Sequence, residues 1–132
     1  FEDSIDASQR LATVHRHKTG ALIRCACLMG ATIGGASQEH LSGISDYADA
    51  IGLMFQVVDD LLDVTQTTEH LGKLAGKDAD QGKLTYPGVL GISASREEVQ
   101  RLRTRALDAV ESFGPAAAPL CDLCEYMAVR TR

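Results

Sequence analysis

The chain has 132 residues, enough for one domain with a hydrophobic core of its own. It carries 18 acidic against 13 basic residues, a formal charge of -5, which speaks against nucleic acid or an anionic membrane surface as partner. No apolar run approaches the roughly 20 residues that span a bilayer, so no transmembrane segment is expected.

The chain opens on Phe1-Glu2-Asp3, with neither an initiator Met nor a basic leader. We read this as the missing amino terminus of a longer protein. Every long periodic stretch has helical spacing and no run alternates as a strand would, so the fold class expected is all-α. Residues from about Ile5 to Gly34 are helical in pattern around a polar segment, His15 to Thr19, as one kinked helix or as two. Gly34-Gly35 marks a break, and Ser37 is suited to cap the next helix.

The spacing predicts that next helix over about Gln38 to Val64. Leu41, Ile44, Ala48, Ile51, Phe55, Val58 and Leu62 recur at steps of three and four. Leu53, Met54, Val57 and Leu61 add apolar side chains on other faces, so this end is expected to be buried nearly all round. From Thr65 to about Pro87 the pattern fails, and a connection of that length in a compact domain is functional or disordered. Ser95 and Glu98 have the spacing of a capping box that opens a further amphipathic helix, ended by Gly114-Pro115. Pro119 fits the first turn of a last helix that runs through Leu120, Leu123, Met127 and Val129 to the terminal Arg130-Thr131-Arg132. Nothing marks a second domain within residues 1–132.

Four cysteines fall as Cys25-x-Cys27 and Cys121-x-x-Cys124. The second pair has half the ligands of a zinc site, and Cys-x-Cys in an apolar stretch supplies the other half poorly. Reduced, buried thiols are the preferred reading, and they favour a cytoplasmic compartment. The four histidines share no spacing and read as surface or structural residues.

Three segments can carry chemistry. In Asp59-Asp60-x-x-Asp63, helical arithmetic puts Asp63 about 40° and Asp60 about 100° from Asp59, with Gln56 at about 60° and Gly52 at about 20°. The three carboxylates and Gln56 are therefore expected to converge on one cavity. Such carboxylates need a cation, and Mg2+ suits them because it takes one or two carboxylates, keeps waters and completes its shell with phosphate oxygens. A solvated acidic helix end is the competing reading. In His15-x-x-Lys18-Thr19-Gly20, an ammonium precedes Leu22, Cys25 and Met29 on the same face. That fits an amphiphile with an anionic head, and equally a lysine that merely snorkels at a helix start. The stretch from Leu71 to Pro87 sets Lys73, Lys77 and Lys83 beside glycines. There the backbone can approach phosphate, or the loop is simply solvated. Gly76-Lys77-Asp78 is not a nucleotide P-loop, since Asp stands where Ser or Thr would meet the metal.

In order along the chain, His15-x-x-Lys18-Thr19-Gly20, Gly52-Leu53-x-Phe55-Gln56-x-x-Asp59-Asp60-x-Leu62-Asp63, Leu71-Gly72-Lys73-x-x-Gly76-Lys77-Asp78 and Gly82-Lys83-x-Thr85-Tyr86-Pro87 resemble the trans-prenyltransferases of the farnesyl and geranylgeranyl diphosphate synthase type. The resemblance implies the carboxy-terminal half of an isoprenoid-synthase helical bundle, normally a homodimer. It implies a Mg2+-dependent reaction between an allylic diphosphate and isopentenyl diphosphate. The diphosphate departs, the alkene attacks the allylic cation and a proton is lost. By position, Asp59, Asp60 and Asp63 would hold the metal. Lys18, Thr19, Gln56 and Lys73 would contact the allylic diphosphate or the developing cation, assisted by Lys83. The family's first aspartate-rich motif and its isopentenyl diphosphate site lie upstream of Lys18, so the chain alone is expected to be inactive. A class I terpene cyclase and a non-catalytic regulatory subunit of a prenyl synthase are the rivals. The lysine motifs favour the prenyltransferase over the first, and the retained aspartates favour it over the second.

Overall fold

The computed structural model describes residues 2–71 and 84–130. Among them there are helices and no strands. Helix α1 spans Glu2–His15 and continues through one π-helical turn, Arg16–Gly20, into α2, Ala21–Ile33. The polar segment is thus neither a simple kink nor a gap between two helices. It is a widened turn within a continuous helical run.

Helix α2 ends at Gly34 and at Gly35, whose φ of 75° is readily reached by glycine. The Ser37 hydroxyl then accepts the His40 N–H at 3.2 Å and starts α3, Gln38–Leu71. At 34 residues this helix is about 51 Å long and forms the axis of the molecule. Tyr47, Ala48, Ala50, Ile51, Leu53, Met54, Val57 and Val58 are all buried along its middle, so its interior is covered nearly all round as expected.

Two departures from the sequence reading follow α3. The helix runs seven residues past Val64, and a short helix α4, Tyr86–Leu90, lies at the end of the stretch read as unstructured. Thr85 caps α4 by accepting the Gly88 N–H at 3.2 Å, with Pro87 in the first turn. Both are ordinary start signals, masked in the sequence by the Gly- and Lys-rich segment before them. Residues 72–83 lie outside the described residues.

Helix α5 spans Ile92–Val110 and begins three residues before the expected capping box. Gly91, at φ 83°, turns α4 directly into α5. Ser95 lies within the helix and donates to the Gly91 carbonyl, while Glu98 pairs with Arg101. The stripe Val99, Leu102, Ala106 and Val110 is buried and packs α5 on α3. A 3-10 stretch, Glu111–Ala117, with Gly114 at φ 58°, leads into α6, Ala118–Val129, with Pro119 in its first turn. Helix α6 is tied back by the Tyr47 hydroxyl, which donates to the Leu120 carbonyl at 2.7 Å, and by a two-point Arg103–Glu125 pair.

Of the four cysteines expected as buried thiols, Cys124 alone is buried, whereas Cys25 is exposed on the outer side of α2. Burial pushes the Cys124 thiol up to about 11.

Two close contacts set the frame for the site. Gly20 and Gly52 meet backbone to backbone: a Cβ added to Gly52 would lie 2.9 Å from the Gly20 Cα. Farther along α3, Asp60 is 4 % exposed, and its Oδ2 accepts the Tyr86 N–H at 3.0 Å, which joins α3 to α4. His15 at the end of α1 lies 3.6 Å from the same oxygen and stacks on the Tyr86 ring.

Substitution Gly52→Ala in the full-length protein should cost about 1–3 kcal/mol, because neither backbone can yield without moving a helix. Asp60→Ala should cost about 1–3 kcal/mol by stranding a buried N–H, whereas Asp60→Asn keeps an acceptor and should cost less. Urea unfolding of these three variants checks both statements. In Ellman titrations the native protein should shield Cys124, and all four cysteines should count as free thiols once it is denatured without reductant.

Candidate functional site

The π turn carries Lys18 and Thr19. Lys18 is exposed, Thr19 half-buried and Gly20 buried. An extra residue in the turn alters the rotation between neighbours, and such turns are frequent at functional sites. Here Gly20 is pressed against Gly52, and Gln56 follows one turn later on α3, with Asp59 and Asp63 on the next two. The seating of Gly20 therefore fixes Lys18 and Thr19 beside the polar end of α3. Leu22, Cys25 and Met29 are all exposed, but simple 100° arithmetic from Lys18 does not hold across a π turn.

The three aspartates do not converge. No group of three or more His, Cys, Asp or Glu among the described residues is placed to hold one metal ion. Asp60 is turned inward to Tyr86 and His15, so its expected part as a metal ligand is not what the structure shows. Helical arithmetic placed Asp60 about 100° from Asp59, and that is far enough for α4 to claim it. Asp63 is exposed, and Gln56 is half-buried. Asp59 already has a cation: the Arg130 guanidinium donates to its Oδ1, in a contact whose side chains are 12 % and 41 % exposed.

That guanidinium is held from two further sides. Nη2 also donates to the Phe55 carbonyl at 3.3 Å, and the group lies 4.2 Å over the centre of the Phe55 ring. A cation on an aromatic face is worth about 0.5–2 kcal/mol, depending on its desolvation. Arg130 also borders an apolar cavity of about 350 Å³ between α3, α5 and α6, with Leu61, Leu62, Val99 and Ala128 in its wall and Arg96 also lining it.

The site tests for magnesium in a mixed way. Asp59 and Asp63, one turn apart, supply the one or two carboxylates the ion takes from protein, and a guanidinium standing at Asp59 shows that a cation is favoured there. Asp60 does not fit. Lys73 and Lys83 lie outside the described residues. Sequence reasoning missed Arg130 and Tyr86 as partners of the acidic segment. Tyr86 could have been found from the cap at Thr85, but no spacing signal links residue 130 to residue 59.

The comparisons bear on the family and the fold. A family model described as polyprenyl synthetase matches residues 1–112. The chain is 48% identical over 123 residues to geranylgeranyl pyrophosphate synthase 11, chloroplastic, of Arabidopsis thaliana, covering 92% of this chain and 34% of that protein. It is 44% identical over 125 residues to geranylfarnesyl diphosphate synthase, chloroplastic, of Leucosceptrum canum, covering 94% and 34%. The chain thus spans about a third of the length of these relatives. Among solved structures, a farnesyl-diphosphate synthase described as putative, from Marinomonas sp. MED121, superposes with a TM-score of 0.73 at 38% identity, over 89% of this chain and 39% of that one. A geranyltransferase of Helicobacter pylori 26695 gives 0.67 at 27% identity, over 91% and 38%. An all-helical architecture, a Lys-Thr turn seated on a long acidic-ended helix and a family match over most of the length lead to one conclusion: the chain belongs to the polyprenyl synthetase family, with the isoprenoid-synthase helical fold.

Proposed function

We propose that this chain is the carboxy-terminal part of a polyprenyl diphosphate synthase that joins an allylic diphosphate to isopentenyl diphosphate, with geranylgeranyl diphosphate as the product. The observation that carries the reading is the Lys18-Thr19-Gly20 turn, locked on Gly52 one turn before Gln56 and two before Asp59. A cationic side chain and a hydroxyl at a fixed place beside carboxylates suit a diphosphate bridged to protein by a divalent cation. The relatives' names support a prenyl diphosphate as the product, and geranylgeranyl recurs among them.

In this reading Asp59 and Asp63 hold magnesium, and Asp60 holds α4 in place. Bound magnesium supplies charge neutralisation for the departing diphosphate. Lys18 and Thr19 bind and orient that diphosphate, and Lys73 and Lys83, outside the described residues, are assigned to the same group by the family's motif. Gln56 presents an amide dipole to the developing allylic cation. The first aspartate-rich motif and the isopentenyl diphosphate site belong to the upstream part of the family's fold, so turnover needs the full-length protein, which we expect to be a homodimer. No helix among the described residues is long and apolar enough to cross a membrane. The thiol argument for the cytoplasm finds no support in the chloroplastic names of the relatives.

The test is kinetic. In full-length protein with magnesium and both diphosphates, Lys73→Ala should lower kcat as well as kcat/KM, by about 2–4 kcal/mol in barrier, because it removes a charge facing a group that grows more negative in the transition state. Lys77→Ala should change little. Equal, near-wild-type activity of the two variants would remove Lys73 from the site.

A further inference from the structure

Two of the arginine ion pairs in the carboxy-terminal region, those of Arg103 and Arg130, are built differently. Arg103 meets Glu125 through two nitrogens and two oxygens, at 2.6 and 2.7 Å, the fork geometry of a fixed structural pair. Arg130 reaches both Asp59 and the Phe55 carbonyl through Nη2 alone, and its buried Nε has no hydrogen-bond partner among the described residues. Its hold on Asp59 is therefore a single shared nitrogen. Its hold on α3 does not depend on Asp59, because the Phe55 ring and carbonyl seat it independently. A side chain so placed can release the carboxylate and stay where it is.

We infer that Arg130 is the resident counter-ion of Asp59, a positioning residue that neutralises this carboxylate until a divalent cation arriving with a diphosphate takes its place. The inference rests on the proposed function and deepens it. With Asp59 already paired and Asp60 committed to Tyr86, a bare ion has to compete with the guanidinium for Asp59. Asp59 would supply a carboxylate to a metal arriving with a diphosphate, and the guanidinium, still seated on Phe55, would be available to the anion. Among the described residues, charged groups near Arg130 include Asp59 on α3 and Arg96 on α5, which lines the same cavity. The cation site would thus favour the metal–diphosphate complex over metal alone, with Arg130, just past the end of α6, supplying the discrimination.

The experiment measures Mn2+ binding to the full-length protein from the electron paramagnetic resonance signal of the free ion, with no substrate present. Arg130→Met should bind bare Mn2+ more tightly than wild type, by about two- to fivefold for an ion pair of this exposure. Arg130→Lys should stay near wild type. Adding Asp59→Asn to Arg130→Met should abolish the gain, which assigns it to this carboxylate rather than to another site in the protein. Phe55→Leu keeps the arginine and removes its aromatic seat. It should shift Mn2+ binding in the same direction by a smaller factor, and it decides the matter if Arg130→Met does not fold. Unchanged or weaker binding in Arg130→Met, or in Phe55→Leu where that variant must stand alone, overturns the counter-ion role. The metal reading fails separately, if Asp59→Asn in the wild-type background leaves calorimetric binding of the preformed Mn2+–pyrophosphate complex unaltered.

Discussion

The backbone contact between Gly20 and Gly52 is the constraint on which the rest of the site depends. Side chains normally keep helix axes about 8–10 Å apart, and two facing glycines let the backbones approach more closely. The 2.9 Å that a Cβ on Gly52 would leave to the Gly20 Cα shows how little room remains. Because Gly20 closes the π turn, the same contact locks the widened turn in register with α3. Lys18 and Thr19 precede it, while Gln56 and Asp59 follow Gly52, so one steric fact aligns the groups of both helices.

Around that contact, the acidic end of α3 is managed by distribution. Three carboxylates within five residues would repel one another if left to share one space. The fold gives Asp60 to the start of α4 and Asp59 to Arg130, and leaves Asp63 toward solvent. The buried Asp60 accepts a backbone N–H, a charge-assisted bond of about 1.5–3 kcal/mol that offsets part of its desolvation. The half-exposed Asp59 contact is weaker, since solvent screens it. The three carboxylates on one helix thus have three different environments.

The same division of labour runs through the packing. The buried stripe of α5 and the middle of α3 form the frame, with Leu102, Ala106, Val110, Met54 and Val57 shut off from solvent. Helix α2, by contrast, leaves Leu22, Met29 and Ile33 largely exposed, at 73%, 58% and 85%. Its apolar residues rank with the most water-accessible in the chain, next to the turn that carries Lys18.

Much of this was legible in the sequence, for local reasons. The i, i+3, i+4 spacing from Leu41 to Leu62, the cap at Ser37 and Pro119 in a first turn each depend on neighbours within a few residues, and all three hold. The ordered motifs likewise pointed to the family, because phosphate and cation chemistry restricts residue types at close spacing. What the sequence could not determine is pairwise and distant. A π turn differs from an α turn by a single residue, and here packing against Gly52 accompanies the choice. The opening of α5 at Gly91 depends on how α4 turns into it, so Ser95 and Glu98 looked like a cap they do not form. Whether Asp60 faces a metal or a backbone N–H depends on Tyr86, 26 residues away, and the partner of Asp59 is Arg130, 71 residues away. Helical periodicity fixes the angles of side chains about their own axis, but which of them meet is settled only when a second helix arrives, and that is a property of the tertiary fold.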